Sequence, residues 1–226
     1  MKDTTMNDLL KRIECATRSL FDGESSGHDI NHLKRTKNLA LHIQEIEGGD
    51  PLVLAAAALL HDVHRLKQSQ TGVFCSPEAS LPQVLMILRE AQFPSDKIGK
   101  VLHCVQYHEE YSFSANGRTV DDIETLILQD ADNLDAMGAI GIGRTFLFGG
   151  AHQVPMWAPE IPLPKRDTYD EETSMQDPSV LHHFHAKLLK LKDSMNTATA
   201  KQMAEQRHQF MERFVAEFIA EWRGAR

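Results

Sequence analysis

Several side chains in this sequence carry donors that suit a metal ion yet stand in or beside apolar helices: His28 and His32, His61 and Asp62, and the aspartates Asp130, Asp132 and Asp135. His61 and Asp62 end the run "PLVLAAAALLHDV", which is apolar on every side of a helix. A carboxylate there stays ionised only beside a compensating charge. The segment "LILQDADNLDAMGAIGIGR" poses the same problem, because Asp130, Asp132 and Asp135 interrupt an apolar helix. Asp132 and Asp135, three apart, share one side of it. Few arginines or lysines accompany these acids, so a divalent cation would meet the demand better than ion pairs. Two neutral imidazoles and two carboxylates suit Mn²⁺, and also Mg²⁺, Co²⁺, Ni²⁺ or Fe²⁺. By spacing alone a second reading stays open, in which these are structural polar groups satisfied by hydrogen bonds.

Further residues lie close to these in sequence. His28, His32 and Arg35 sit at i, i+4 and i+7 and share a helix face. Arg35 and Lys67 are candidates for phosphate contacts, and Arg144 follows Asp132 along its segment. Each could equally be an exposed salt-bridge former. His108 extends the apolar stripe Ile98, Val101, Leu102, Val105, whereas His103 falls on another side and reads as a surface residue. His182, His183 and His185 lack an i, i+4 pair and read as surface or packing residues.

Helical periodicity must position these groups, since no sustained alternation marks a strand. A first helix covers about 5–21, with Leu9, Ile13, Ala16 and Leu20 on one stripe. A second starts near Asp29 and stops at Gly48-Gly49. Asp50-Pro51 reads as an N-cap with proline at the first helical position, opening the central buried helix. "KQSQTGVFCSPEAS" reads as loop, followed by helices over about 82–92 and 95–109. After a polar loop holding Asn116-Gly117, one long helix is expected from Asp121 towards Gly149-Gly150. Two closing helices, about 179–194 and 197–223, follow, the second with Met203, Phe210, Phe214, Phe218 and Trp222 as its stripe. The expected architecture is one all-α helical bundle. Its parts are an N-terminal helix in 1–25, a metal-binding core in 26–150, an irregular loop or lid in 151–178, and completing helices in 179–226.

At 226 residues, 42% hydrophobic and 25% charged, the chain can bury a proper core. A formal charge of −8 argues against binding a nucleic-acid duplex or an anionic membrane, while leaving small phosphorylated molecules open. Cys15, Cys75 and Cys104 form no C-x-x-C pair, which fits a reducing, cytoplasmic setting. Neither a signal core nor a membrane span is apparent.

The order His32, His61-Asp62, Asp132 resembles the H…HD…D signature of HD-domain metal-dependent phosphohydrolases. "GHDINHLKR", "GGDPLVLAAAALLHDV", "QDADNLDAMGAIGIGRTFLFGG" and "HHFHAKLLKLKDSMNTATAKQMAEQRHQFMERF" resemble small bacterial nucleotide pyrophosphohydrolases of the YpgQ/YedJ type. The resemblance spans about 26–223. It implies an all-α fold of the HD-domain type in which His32, His61, Asp62 and Asp132 bind one divalent ion. It implies hydrolysis of a (d)NTP-like nucleotide with release of pyrophosphate or phosphate. His108 and His28 become candidates for substrate contact, with His108 also a candidate acid. One departure stands out: Arg65 occupies the position, three past the HD aspartate, where many relatives carry an acid. Either water is activated by the ion with help from Asp62 or Asp135, or Arg65 binds substrate, and the sequence leaves both open. An HD-type phosphodiesterase and a weakly catalytic nucleotide sensor are the alternatives, the former needing a second ligand set that the sequence does not display. A homodimer is a further expectation, from the long aromatic-bearing terminal helix.

Overall fold

The computed structural model describes residues 5–109, 120–164 and 177–226, and every regular element among them is helical. The polar loop with Asn116-Gly117 and residues 165–176 of the expected lid lie outside the described residues. Helices α1 (Met6–Leu20), α2 (Ile30–Glu47) and α3 (Pro51–Leu60) come first. Asp29 caps α2 by accepting from the His32 amide at 2.9 Å, and Asp50 caps α3 by accepting from the Leu52 amide at 2.9 Å. Every residue of α3 from Val53 to Leu60 is fully buried, with α1, α2, α6 and α7 packed around it. Its run of alanines, Ala55–Ala58, lets those neighbours approach closely. Leu54, Leu59 and Leu60 each contribute about 1.5–3 kcal/mol by leaving water. The central position of α3 fixes where its last residues, and so His61 and Asp62, must lie.

Four expectations about the elements need correction, among them the single helix over about 179–194, which is α-helical only to Ala186 and then a 3-10 turn. The stretch 67–80 read as loop instead holds the second half of α4 (Val63–Thr71) and a 3-10 turn at Pro77–Ser80. The chain turns at His61-Asp62, and Gly72 ends α4 in the left-handed region at φ 67°. Helices α5 (Leu81–Glu90) and α6 (Ser95–Tyr107) follow.

The single long helix expected beyond Asp121 is two, α7 (Ile123–Asp135) and α8 (Gly138–Ala151). Gly138, at φ 70°, makes the corner in a conformation side-chain-bearing residues resist. Nine residues of continuous helix would separate Asp135 from Arg144 by about 13 Å along the axis. The corner brings Arg144 Nη1 to 2.9 Å from Asp135 Oδ2.

The closing elements are α9 (Val180–Ala186), a 3-10 turn at Leu188–Ser194 and α10 (Ala198–Trp222). The buried stripe of α10 is Ala200, Ala204, Met211 and Val215, not the expected aromatic row. Phe214 and Phe218 are partly buried beside it, whereas Phe210 and Trp222 are exposed. The described part of the expected lid is strapped down: Pro155 and Met156 carbonyls accept from the Val180 and Leu181 amides at 2.9 and 3.1 Å. Trp157 and Ala158 are buried there. Among the described residues no helix is long and apolar enough to cross a membrane.

Candidate metal centre

Helices α2, α3 and α7 bring His32, His61, Asp62 and Asp132 to one point. His32 Nε2 lies 3.2 Å from His61 Nε2, 3.2 Å from Asp62 Oδ2 and 3.4 Å from Asp132 Oδ1. His61 Nε2 lies 3.6 Å from Asp132 Oδ1 and 3.7 Å from Asp62 Oδ1. Both imidazoles are fully buried.

The other ring nitrogens fix what these atoms can be. His32 Nδ1 is 2.8 Å from Asp135 Oδ2, and His61 Nδ1 is 2.9 Å from the Ala58 carbonyl. An ionised carboxylate and a carbonyl only accept, so each Nδ1 carries the hydrogen. In the neutral rings both Nε2 atoms therefore present lone pairs, to each other and to two carboxylates. Four acceptors without a donor repel unless a cation stands among them. The donor set fits a divalent ion: two imidazole nitrogens oriented from behind and two carboxylates, the arrangement that ligand-orienting hydrogen bonds produce.

The electrostatics carry the same signature. Burial pulls the His61 imidazole down, but Asp62 and Asp132 outweigh it and raise the pKa to about 9. Burial pushes Asp62 and Asp132 up, yet the facing histidines hold both carboxylates below their usual range. In the absence of a metal, a proton on His61 supplies the missing positive charge.

Asp135 and Arg35 have other partners than expected. Arg35 donates through Nε to Asp135 Oδ1 at 2.8 Å and through Nη2 to Oδ2 at 3.0 Å. Asp135 thus accepts from His32, Arg35 and Arg144, and these contacts overcome burial to keep it ionised. It stands behind His32 and orients it, rather than facing solvent as an aid to water. Arg35 spends its fork on Asp135 and is not free for phosphate.

The remaining candidates separate in the same way. His28 lines the cavity in front of the centre, edge-on to both His32 and Phe148 at 5.8 and 5.9 Å between ring centroids. Burial holds its imidazole well below the usual range, and therefore neutral. Arg65 lines the cavity and pairs with Glu109. Lys67 is exposed on α4 and does not line the cavity, because the helix turns it outward. His108 is buried with Nδ1 on the Val105 carbonyl at 2.7 Å. Burial drops its pKa to about 4, so it offers an acceptor at pH 7 and the expected acid role does not fit.

The cavity holds about 320 Å³. Asp62 and Asp132 stand at its edge, Arg65 and Arg144 flank them, and His183 and Lys187 from α9 and the residue after it line another wall. His183 is thus a cavity residue, paired with Asp177 at 2.9 Å, where the sequence read surface or packing. His182 does pack: it is buried, near Ser179 Oγ at 2.6 Å and the Ile161 carbonyl at 3.1 Å. His103 is exposed, beside Asp122 at 3.1 Å.

Sequence reasoning also missed His64 and Glu109. Both join Asp62 and His108 in a group whose donor atoms lie within 4.8 Å of one another. The signal was present in "HDVH" and in the glutamate after His108, but a helix corner and the meeting of α4 side chains with Glu109 past the end of α6 are needed to align them.

Comparison with known proteins agrees with this geometry. The HD domain family matches residues 29–137, which contain all four converging side chains. YpgQ of Bacillus subtilis is 35% identical over 208 residues, 91% of this chain and 89% of that protein. A crystal structure of an HD-superfamily hydrolase from Bacillus thuringiensis superposes with a TM-score of 0.71 at 37% identity, covering 97% of this chain and 99% of the other. The crystal structure of Bacillus subtilis YpgQ in complex with ADP gives 0.67 at 31% identity, covering 94% and 97%. The chain belongs to the HD-domain metal-dependent phosphohydrolase family, in the group that includes YpgQ.

Proposed function

We propose that this protein is a metal-dependent phosphohydrolase that acts on a (d)NTP-like nucleotide and releases pyrophosphate or phosphate. One observation carries the reading: the His32 and His61 Nε2 atoms converge on Asp62 and Asp132, a set held together only by added positive charge, a proton or a cation, at the edge of a cavity flanked by arginines. That YpgQ was crystallised with ADP supports a nucleotide as the ligand class.

His32, His61, Asp62 and Asp132 would hold the divalent ion, which supplies Lewis acidity and lowers the pKa of a water molecule. The chain's own residues do the rest. Asp135 and the Ala58 carbonyl lock the two imidazoles in the ligating tautomer. Asp62 sits at the N-cap of α4 without capping it, leaving its carboxylate for the centre while the helix end favours its charge. Arg65 and Arg144 border the cavity, where positive charge favours phosphate and neutralises what builds up on the transferred group. Arg144 also donates through Nε to the Gly27 carbonyl at 2.8 Å, tying the α1–α2 connection to the wall of the site. His28 and Phe148 add aromatic rings to the cavity wall.

Incubating the protein with a panel of nucleotides and simple phosphoesters, with Mn²⁺, Co²⁺ or Mg²⁺, and measuring phosphate and pyrophosphate separately, tests this. The expected result is metal-dependent release from nucleoside triphosphates. Nucleotide that binds but is recovered intact under every metal would contradict hydrolysis and assign a sensing role instead.

A further inference from the structure

The donors of the candidate centre do not end with His32 and the three groups that face it. On the far side of Asp62 lie His64 from α4, together with His108 and Glu109 beyond the end of α6. His64 Nδ1 is 3.1 Å from the His61 carbonyl and His108 Nδ1 is 2.7 Å from that of Val105. Each Nδ1 carries the hydrogen for the reason that holds in His61, so each Nε2 is an acceptor. Both Nε2 atoms are buried and accept no hydrogen bond among the described residues. Glu109 Oε1 is 3.4 Å from His64 Nε2 and 3.9 Å from His108 Nε2, and Asp62 Oδ1 is 3.9 Å from His108 Nε2. Two imidazole nitrogens and two carboxylates again converge, a set that would hold a borderline divalent ion.

Here the positive charge is covalently attached. The Arg65 guanidinium pairs with Glu109, and its Nε lies 3.8 Å from Asp62 Oδ1. Its side chain is 15% exposed and borders the cavity. A guanidinium keeps its charge at any working pH and offers a planar fork to phosphate. An acid at position 65 would instead add a third carboxylate beside Asp62 and Glu109.

We propose that Arg65 is a tethered substitute for a second divalent cation. Its fixed positive charge stands against the Glu109 and Asp62 carboxylates of the Asp62–His64–His108–Glu109 group, at the wall of the cavity, so the chain works with one ion where donors for two are present. The inference rests on the one-ion reading of the His32–His61–Asp62–Asp132 centre, and counting metal separates the two.

Equilibrium dialysis against Mn²⁺ followed by elemental analysis reads ions per chain. The wild type and Arg65→Lys are expected to bind one, Arg65→Gln two, and Arg65→Gln combined with His64→Ala one again. Two ions in the wild type, or one in Arg65→Gln, would overturn the substitution of arginine for metal. No ion in the wild type would reject the centre itself, and the inference with it. Should Arg65→Gln fail to fold, wild-type crystals soaked in Mn²⁺ decide. A single anomalous peak with the guanidinium on Glu109 supports the proposal, whereas two peaks or a displaced guanidinium refute it.

Discussion

Two aspartates on one helix, two residues apart, meet opposite fates. Asp130 is fully buried and accepts from the Asn196 and Thr197 amides at 2.7 and 2.8 Å, and from Thr197 Oγ1 at 2.7 Å. It closes the start of α10 with neutral donors, and burial still raises its pKa. Asp132, two positions on and so on nearly the opposite side of α7, meets two imidazole nitrogens. At Asp130 hydrogen bonds within the protein satisfy the carboxylate. At Asp132 the lone pairs are left over, and the surplus is what binds a cation. A buried acid therefore marks a site only when the groups around it are acceptors too.

The largest effect separating the two regions is expected at the centre. Asp62→Ala should reduce metal-dependent turnover to background and lower bound metal, while the thermal midpoint of the metal-free protein holds or rises. Elemental analysis and a melting curve check it; full activity in the variant would erase the distinction. Next comes Asp135→Asn, which keeps the volume but weakens the hold on His32. Metal affinity or activity should fall about 10- to 100-fold, read by titration with Mn²⁺.

Asp130→Ala should do the reverse. It orphans two amides and costs roughly 1–3 kcal/mol of stability, with the bound metal count unchanged. Denaturant unfolding alongside metal analysis measures both quantities.

The smallest effect is a proton. With its pKa raised to about 9, His61 is protonated at pH 7 in the metal-free protein and must lose that proton to ligate. Metal binding at pH 7 should release about one proton per ion from His61, fading as pH rises past about 9. Calorimetry in buffers of different ionisation enthalpy detects it. The same shift carries a stability term of definite sign. A raised histidine stabilises the metal-free fold fully below the unfolded value near 6.5, and the benefit is lost as pH climbs through about 9.

Much of this was legible in the sequence for a simple reason: a charge that interrupts an apolar helix is visible wherever it occurs. His61-Asp62 after eight fully buried residues, and Asp132 within α7, stand out in that way. Helix caps at Asp29 and Asp50 were legible as well, since capping is local. Tertiary partnership was not. Nothing near Arg35 in the chain reveals that it grips Asp135, or that a corner at Gly138 returns Arg144 to the same carboxylate. Asp130 and Asp132 look alike in sequence, and only the arrival of α10 distinguishes them. The α10 aromatics misled because they are large and periodic, while the residues the helix buries fully are Ala200, Ala204, Met211 and Val215 and the aromatics Phe214 and Phe218 pack only partly, against Phe146 of α8.

Anomalous diffraction from crystals grown with Mn²⁺ tests the metal centre most directly. The expected result is a peak coordinated by His32 Nε2, His61 Nε2, Asp62 and Asp132, each at about 2.0–2.3 Å. Ordered density with no peak between these four side chains, or with their donor atoms turned apart, would contradict it.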